Sequence, residues 1–247
     1  MPRLLKYVEH DGLYFVSTRT EDGLPFSNRV DFEPIFNSIV ARAQQLYPTK
    51  ISALHFGGNQ MHLLLVPLDA DDFFKFVGYI KAELAHIVNR LSGRKRKTIW
   101  CSGYDSPILL GPEEAIYYHV YLYCQAQEAY LVDKIEDYKG ANSWKMFTEG
   151  AHTISCKRIY RTDFDAKGHH PKELEPEETA EVLTLTIDPY CWVNKLAPNE
   201  TSSSVKAKII EGVRAREREL RAERIKNNIK LNSLRISPEQ AAQYIPK

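Results

Sequence analysis

The chain has 247 residues, of which 43% are hydrophobic and 11% aromatic. This content excludes a disordered protein and allows one large domain, or a core of about 150 residues with an appendage. The whole chain is nearly neutral, with 33 Lys and Arg against 32 Asp and Glu. Residues 204–235 are an exception, because ten Lys or Arg against four Glu give them a charge of +6. A basic segment on a neutral protein indicates a polyanionic partner.

Cysteine spacing and hydropathy exclude several other classes of protein. The four cysteines lie far apart with no CxxC pair, which predicts neither a zinc site nor a disulfide framework. The N-terminal MPRLLKYVEHDG lacks the apolar stretch of a signal peptide, and no apolar run approaches the roughly 18 residues needed to cross a membrane. We therefore expect a cytoplasmic protein with no membrane partner, nucleoid-associated if the source is bacterial.

The first 110 residues predict an ordered series of strands and helices. Residues 12–18 form a first strand, followed by the turn signals DG and LP. Asp31 can cap a helix over 32–46, and Asp71 or Asp72 a second helix to about Leu91. Apolar runs at 51–56 and 62–66 predict two strands between these helices. TIWCSG and PILL then add a fourth.

This order is typical of an α+β ferredoxin-like β-α-β-β-α-β sandwich with an antiparallel sheet. In such a sandwich the helices cover one face of the sheet, so we expect the other face to be free for a ligand or a partner. A tyrosine-bearing helix and a helical C-terminal extension follow. We predict a boundary near residue 145, with 146–247 mostly helical and basic.

Two polar side chains interrupt the apolar runs of ISALHFGGNQMHLLLVP, residues 51–67. Because side chains alternate along a strand, Gln60 and His62 lie on one face at the start of a central strand. Imidazole nitrogens and amide oxygens are both metal ligands, so the pair can hold a divalent cation if a third donor joins it. The alternative interpretation is a hydrogen-bonded histidine at a strand end beside a turn glutamine.

A run of cations, Arg94, Lys95, Arg96 and Lys97, ends the second helix. Such a run is typical of a solvated surface, and it also suits phosphate contacts that do not depend on base sequence.

Residues 112 to about 130 predict a single helix that begins at a proline and contains no breaker. Residues four apart are neighbours on a helix, so Tyr117, Tyr121, Gln125 and Glu128 line one stripe. Tyrosines at this spacing also suit a hydrophobic core or a protein interface.

A long helix is predicted from Thr201 or Ser202 to about Leu231, followed by a short one capped by Ser237. The long helix presents Arg214, Arg218 and Arg221, which suit contacts with nucleic acid. The alternative is an amphipathic helix that packs on its own domain.

Two segments together resemble a known family. NQMHLLLV resembles the NHxHLLV signature of single-tyrosine HUH transposases, in particular the REP-associated tyrosine transposases. VYLYCQAQEAYLVDKIEDYKGANSW resembles that family's RYIELNPVRAGLVxxPEDYxWSSY segment without a gap. The resemblance covers about residues 10–145. It implies that Tyr121 is the nucleophile and that Gln125 completes a metal site with His62. Gln60 takes the place of the family's first histidine.

The resemblance implies a metal-assisted endonuclease and strand transferase acting on single-stranded, hairpin-flanked DNA in DNA transposition or recombination. It also implies a divalent cation, magnesium or manganese, held by Gln60, His62 and Gln125, in a protein that is a monomer or a homodimer. An alternative interpretation is a weakened or inactive relative that binds structured single strands without cutting them. Gln60 separates the two, because an amide oxygen replaces an imidazole nitrogen.

Overall fold

The computed structural model describes residues 8–23, 32–91, 98–160 and 181–231. In these ranges the architecture is mixed α/β, with a four-stranded sheet of order β2-β3-β1-β4 in which all neighbouring strands run antiparallel. The predicted order of strands and helices up to residue 110 is confirmed. Its elements are β1 (Leu13–Arg19), α1 (Phe32–Leu46), β2 (Thr49–Gly57), β3 (Gln60–Pro67), α2 (Ala70–Leu91) and β4 (Ile108–Leu109), with a 3-10 turn at Glu21–Gly23.

The β2-β3 hairpin is closed by the two-residue turn Gly58-Asn59. Gly58 has a φ of +49°, a left-handed conformation that glycine adopts without steric strain. A two-residue turn fixes the register of the strands it joins, so Gly57 pairs with Gln60 and His55 pairs with His62. A bulge at Ser52 shifts the register further along β2.

One face of the sheet is covered by α1 and α2, which present apolar side chains at helical spacing. Their core includes Phe36, Phe76, Val77 and Ile80, which pack against buried strand side chains on this face of the sheet, such as Leu63. This packing follows the prediction, because both helices begin and end close to the predicted residues.

The second face of the sheet is also covered, so the expectation of a free face is wrong. Phe15, Leu64 and Val66 are buried there against α3 and α7. The reason is visible in β3, whose consecutive residues 63–66 are all apolar and all buried. A strand that is apolar on both faces needs a layer on each side.

The predicted helix over 112–130 is divided in two. α3 (Pro112–Tyr123) ends at Cys124, whose φ of −94° and ψ of 4° depart from helical values, and α4 (Gln125–Glu128) begins at the next residue. Tyr130 then adopts a left-handed φ of +54°. The chain continues through a 3-10 turn at Ile135–Asp137 and α5 (Trp144–Glu149).

Beyond α5 the described residues contain the long helix that the sequence predicts, together with a two-stranded sheet and a short helix that it did not predict. The strands are β5 (Thr153–Lys157) and β6 (Val182–Thr186), followed by α6 (Val193–Leu196) and α7 (Ser202–Lys226). This two-stranded sheet packs on α1, where Gln44 hydrogen-bonds to the backbone of Thr186 at both its N–H and its C=O. Thr201 caps α7 by accepting from the Ser204 N–H, as predicted, and α7 lies along α3.

Other predictions fall differently. The TIWCSG strand is reduced to an isolated bridge between Thr20 and Trp100. The proposed caps at Asp31 and Ser237 and the 94–97 cations lie outside the described residues. Among the helices of the described ranges, none combines the length and the apolar character that spanning a bilayer requires.

Candidate active site

The sheet contributes a buried imidazole and an amide from the start of β3. His62 is 1% exposed, and its Nε2 lies 3.0 Å from Oε1 of Gln60, two residues earlier on the same face. Strand pairing places Ser17 of β1 on one side of His62 and His55 of β2 on the other. The predicted same-face pair is therefore present, and it is flanked on both sides.

α3 brings a phenol to this imidazole. The Tyr121 ring lies edge-on to His62, with centroids 5.8 Å apart and an interplanar angle of 76°. Phe15 from β1 stacks on His62 at 5.4 Å and meets the edge of Tyr121 at 5.7 Å, so it fixes both rings. Tyr118 packs on Phe15 from the neighbouring turn. Tyr121 is half-buried, which leaves its ring open to solvent on one side.

Gln125, the first residue of α4, closes the site. Its Nε2 donates to the backbone C=O of Tyr121 at 3.2 Å, and its side chain interacts with both His62 and the Tyr121 phenol. The break at Cys124 does not separate these groups. The structure therefore brings together all four residues that the resemblance singled out: Gln60, His62, Tyr121 and Gln125.

A helix from the C-terminal region supports this arrangement. Oε2 of Glu128 lies 3.5 Å from Nε2 of Gln125, and its Oε1 accepts from Nη2 of Arg216 at 3.1 Å. Arg216 belongs to α7, 88 residues further along the chain. Sequence reasoning missed Arg216, because no local pattern indicates which acidic residue a helical arginine will meet.

Burial controls the protonation of both rings. It lowers the pKa of His62 from 6.5 to about 4, which hydrogen bonding to Gln125 partly opposes. His62 is therefore neutral near pH 7, the form that binds metals. Burial also raises the pKa of Tyr121 above its usual 10, and the nearby Glu128 carboxylate adds to this effect. The protein on its own thus keeps the phenol protonated.

The polar atoms around His62 fit a divalent cation. His62 Nε2 and Gln60 Oε1 lie 3.0 Å apart as hydrogen-bond partners, and two adjacent ligands of an octahedral ion at about 2.1 Å have a similar separation of about 3 Å. In the described part of the chain no three His, Cys, Asp or Glu residues gather as a metal site. A cation held here would therefore take part of its ligand set from amide oxygens.

His55 is a second buried histidine here that sequence reasoning missed. Both of its ring nitrogens are buried without a hydrogen-bond partner, as is Nδ1 of His62. Tyr138 stacks on its ring at 5.0 Å. A signal existed in the sequence, since a two-residue turn at Gly58-Asn59 places residue 55 opposite residue 62.

The predicted nucleic-acid contacts differ in availability. Arg214 donates to Glu136 at 3.1 Å and to Glu217 at 2.8 Å, so intramolecular carboxylates already hold its guanidinium. Arg221 lies 3.8 Å from Asp133 and remains largely exposed, and Arg218 is exposed. Arg94, Lys95, Arg96 and Lys97 lie outside the described residues.

No protein-family model matches the chain, and no curated protein matches it. Among solved structures it is similar to a REP-associated tyrosine transposase bound to a REP hairpin, with a TM-score of 0.49 and 12% sequence identity. The match covers 60% of this chain and 86% of that chain. A likeness at this level carries no argument about activity, so the functional argument depends on the residues of this chain.

Proposed function

We propose that this chain is a transposase-like endonuclease and strand transferase that acts on single-stranded, hairpin-flanked DNA with Tyr121 as nucleophile. The observation that carries the proposal is the meeting of one phenol, one neutral imidazole and two amides at a single place. They come from three elements, β3, α3 and α4. An ordinary core has no need to place these groups together.

The proposal includes a ferredoxin-like arrangement for the sheet and its first two helices. Support comes from the order β2-β3-β1-β4 and from antiparallel pairing throughout. We place the catalytic unit within residues 1–145 and regard the later region as its support, because α7 reaches the site through Arg216 and Glu128.

The reaction is a phosphoryl transfer in which one bond forms and one breaks. The Tyr121 Oη attacks the phosphorus of a phosphodiester, and the bond from phosphorus to the 3′ oxygen of the upstream strand breaks. The products are a 5′-phosphotyrosine link and a free 3′-hydroxyl. The phenol proton passes to water, which reaches the half-buried ring, and the leaving 3′ oxygen takes up one proton. Attack by that hydroxyl, or by another 3′-hydroxyl, reverses the step and joins strands.

His62, Gln60 and Gln125 would hold the divalent cation, magnesium or manganese. When bound there, it would supply polarisation of the scissile phosphate, neutralisation of developing charge and a lower pKa for a nearby phenol. Residues of this chain favour cation binding and hold the reacting groups in position. Burial keeps His62 unprotonated, Phe15 fixes both rings, and Gln125 holds the end of α3 in place.

The exposed cations are proposed to bind the DNA backbone. Arg218 and Arg221 lie on the solvent side of α7, and the 94–97 run would add phosphate contacts. Arg214 makes a weaker candidate, because a phosphate would have to displace two carboxylates.

A second candidate function is binding of structured single strands without cleavage. The observation that favours it is the raised pKa of Tyr121, which makes the phenol a poor nucleophile unless a cation is bound. Gln60 also favours this candidate, because an amide oxygen replaces an imidazole nitrogen as a cation ligand.

The test is a covalent-adduct assay with 5′- and 3′-labelled hairpin DNA that carries single-stranded flanks, in the presence of Mg²⁺ or Mn²⁺. The proposal expects a denaturation-resistant protein–DNA band that EDTA abolishes and that Tyr121→Phe lacks. Tyr117→Phe is a matched control, because this phenol lies one turn away, 61% exposed, with its ring stacked 6.4 Å from that of Tyr121.

Three results decide between the candidates. An adduct lost in Tyr121→Phe and kept in Tyr117→Phe supports the strand transferase. Retarded migration of the hairpin with no adduct under any cation condition supports the binding protein. An adduct that persists in Tyr121→Phe overturns the assignment of the nucleophile.

A further inference from the structure

We propose that His55 is a ligand of the cation site, so that two imidazoles hold the metal although position 60 carries a glutamine. This inference rests on the cation site of the proposed function and names a residue that lies outside the HxH-like pair on β3. In effect, the second imidazole comes from the neighbouring strand.

The first argument is the position of His55 in the sheet. His55 and His62 are direct partners across β2 and β3, and Gly57 and Gln60 form the next pair on the same face. Directly opposite residues have β-carbons about 5 Å apart, so the side chains of His55, His62 and Gln60 project from neighbouring positions on one face of the β2-β3 hairpin.

The residue opposite Gln60 is Gly57, which has no side chain. A β-carbon at Gly57 would stand 2.7 Å from Nε2 of His55, so this imidazole leans toward the end of the hairpin that holds Gln60. Nε2 of His62 also faces Gln60, at 3.0 Å from its Oε1. The glycine therefore leaves room for the His55 ring at the end of the hairpin where His62 contacts Gln60.

The third argument is hydrogen bonding. His55 is completely buried, and neither ring nitrogen has a partner in the described part of the chain. Nδ1 of His62 is in the same situation. A buried polar group without a partner costs about 1–3 kcal/mol of stability, so such groups in a folded protein call for a reason. For comparison, the equally buried His119 bonds through both nitrogens, to Ser52 and to Ala115. A cation bound to the lone-pair nitrogen of His55 would give this imidazole the partner that it lacks.

A second imidazole changes which metal the site favours. One nitrogen and two amide oxygens suit a hard ion such as magnesium, whereas two nitrogens shift the preference toward manganese or zinc. The predicted ligand set is His55, His62 and Gln60 from the sheet, with Gln125 from α4.

The experiment titrates the full-length protein with Zn²⁺ by calorimetry and follows the imidazole nitrogens by ¹H–¹⁵N NMR. At one equivalent of Zn²⁺, two imidazoles should show the nitrogen shifts of metal ligation. His55→Phe keeps a ring to stack on Tyr138, and it should weaken Zn²⁺ binding by more than about tenfold and leave one shifted imidazole. His86→Gln removes an exposed histidine of α2 and should change neither result.

Unchanged affinity in His55→Phe, with one imidazole shifted in the wild type, overturns the proposal. Gly57→Ala gives a second route, because its methyl group displaces the His55 ring without removing it, and it should also weaken binding. If His55→Phe does not fold, the number of shifted imidazoles in the wild type still decides. Two-imidazole binding in a protein that forms no DNA adduct would refute the proposed function and retain this site. A DNA adduct in a protein whose bound Zn²⁺ shifts only one imidazole would support the proposed function and overturn His55 as a ligand.

Discussion

Tyr121 meets His62 edge to face, with ring centroids 5.8 Å apart, although they lie 59 positions apart along the chain. Phe15 touches both rings and prevents either from turning away. This contact joins the outer layer of helices to the sheet at the place where the chemistry is proposed.

Gln60→His should tighten cation binding and raise adduct formation, each by about tenfold, because a nitrogen donor replaces a neutral oxygen. Calorimetry with Mn²⁺ and the hairpin assay measure the two effects. Asn59→His is the control, since it adds a histidine one residue earlier, in the turn. Equal gains in both variants would show that any added imidazole suffices and that position 60 is not a ligand.

The protein should lose stability as the pH falls below about 6.5. Burial lowers the pKa of His55 to about 3 and those of His62 and His119 to about 4, whereas an unfolded chain protonates them near 6.5. Between pH 6.5 and 4 the unfolded state therefore binds more protons, and each histidine lowers the unfolding free energy by up to about 1.4 kcal/mol per pH unit.

Urea denaturation in EDTA at pH 8, 7, 6 and 5 measures this slope. His55→Phe should reduce the slope by roughly a third, because one of three such groups is removed. A stability that stays constant from pH 7 to pH 5 would contradict the burial of neutral imidazoles.

Glu217→Leu should destabilise the fold by about 2–5 kcal/mol, since it leaves the buried donors of Gln127 and Ile135 without their acceptor, at about 1–3 kcal/mol each. The buried Glu217 accepts from Gln127 at 3.0 Å, from the Ile135 N–H at 2.8 Å and from Arg214 at 2.8 Å. Glu219→Leu changes a carboxylate two residues away that is 66% exposed, and should shift stability by no more than about 0.5 kcal/mol. Chemical denaturation of both variants checks the contrast, and similar losses would show that Glu217 has no special role.

Gly212→Ala should also destabilise the protein, although alanine favours helices by about 1 kcal/mol over glycine. The added β-carbon would stand 2.6 Å from Cγ2 of Val120, where α7 crosses α3. We expect a net loss of about 1–3 kcal/mol from overpacking. Val120→Ala in the same chain should restore most of it. A double variant no more stable than Gly212→Ala alone would place the strain elsewhere.

The sequence predicted the strand and helix order well, because 3.6-residue and two-residue periodicities decide it locally. It also indicated Gln60, His62, Tyr121 and Gln125, since their spacing within strands and helices limits where they can lie. The break at Cys124 could not be predicted. QAQE consists of good helix formers, and the interruption accompanies tertiary contacts such as Gln127 with Glu217 of α7. The covered second face was readable from residues 63–66, but only by counting apolar positions on both sides of β3.

The packing of the last hundred residues limits how the site can be isolated. A chain shortened after residue 145 would lose β5, β6 and α7, and with them the cover over α1 and α3. The fragment would lack Val205, Ile209 and Val213 of α7, so the apolar side chains that pack against them would be exposed to water. Such a fragment should aggregate rather than report on the chemistry, so a useful shortened version of this protein must keep α7 together with the catalytic unit.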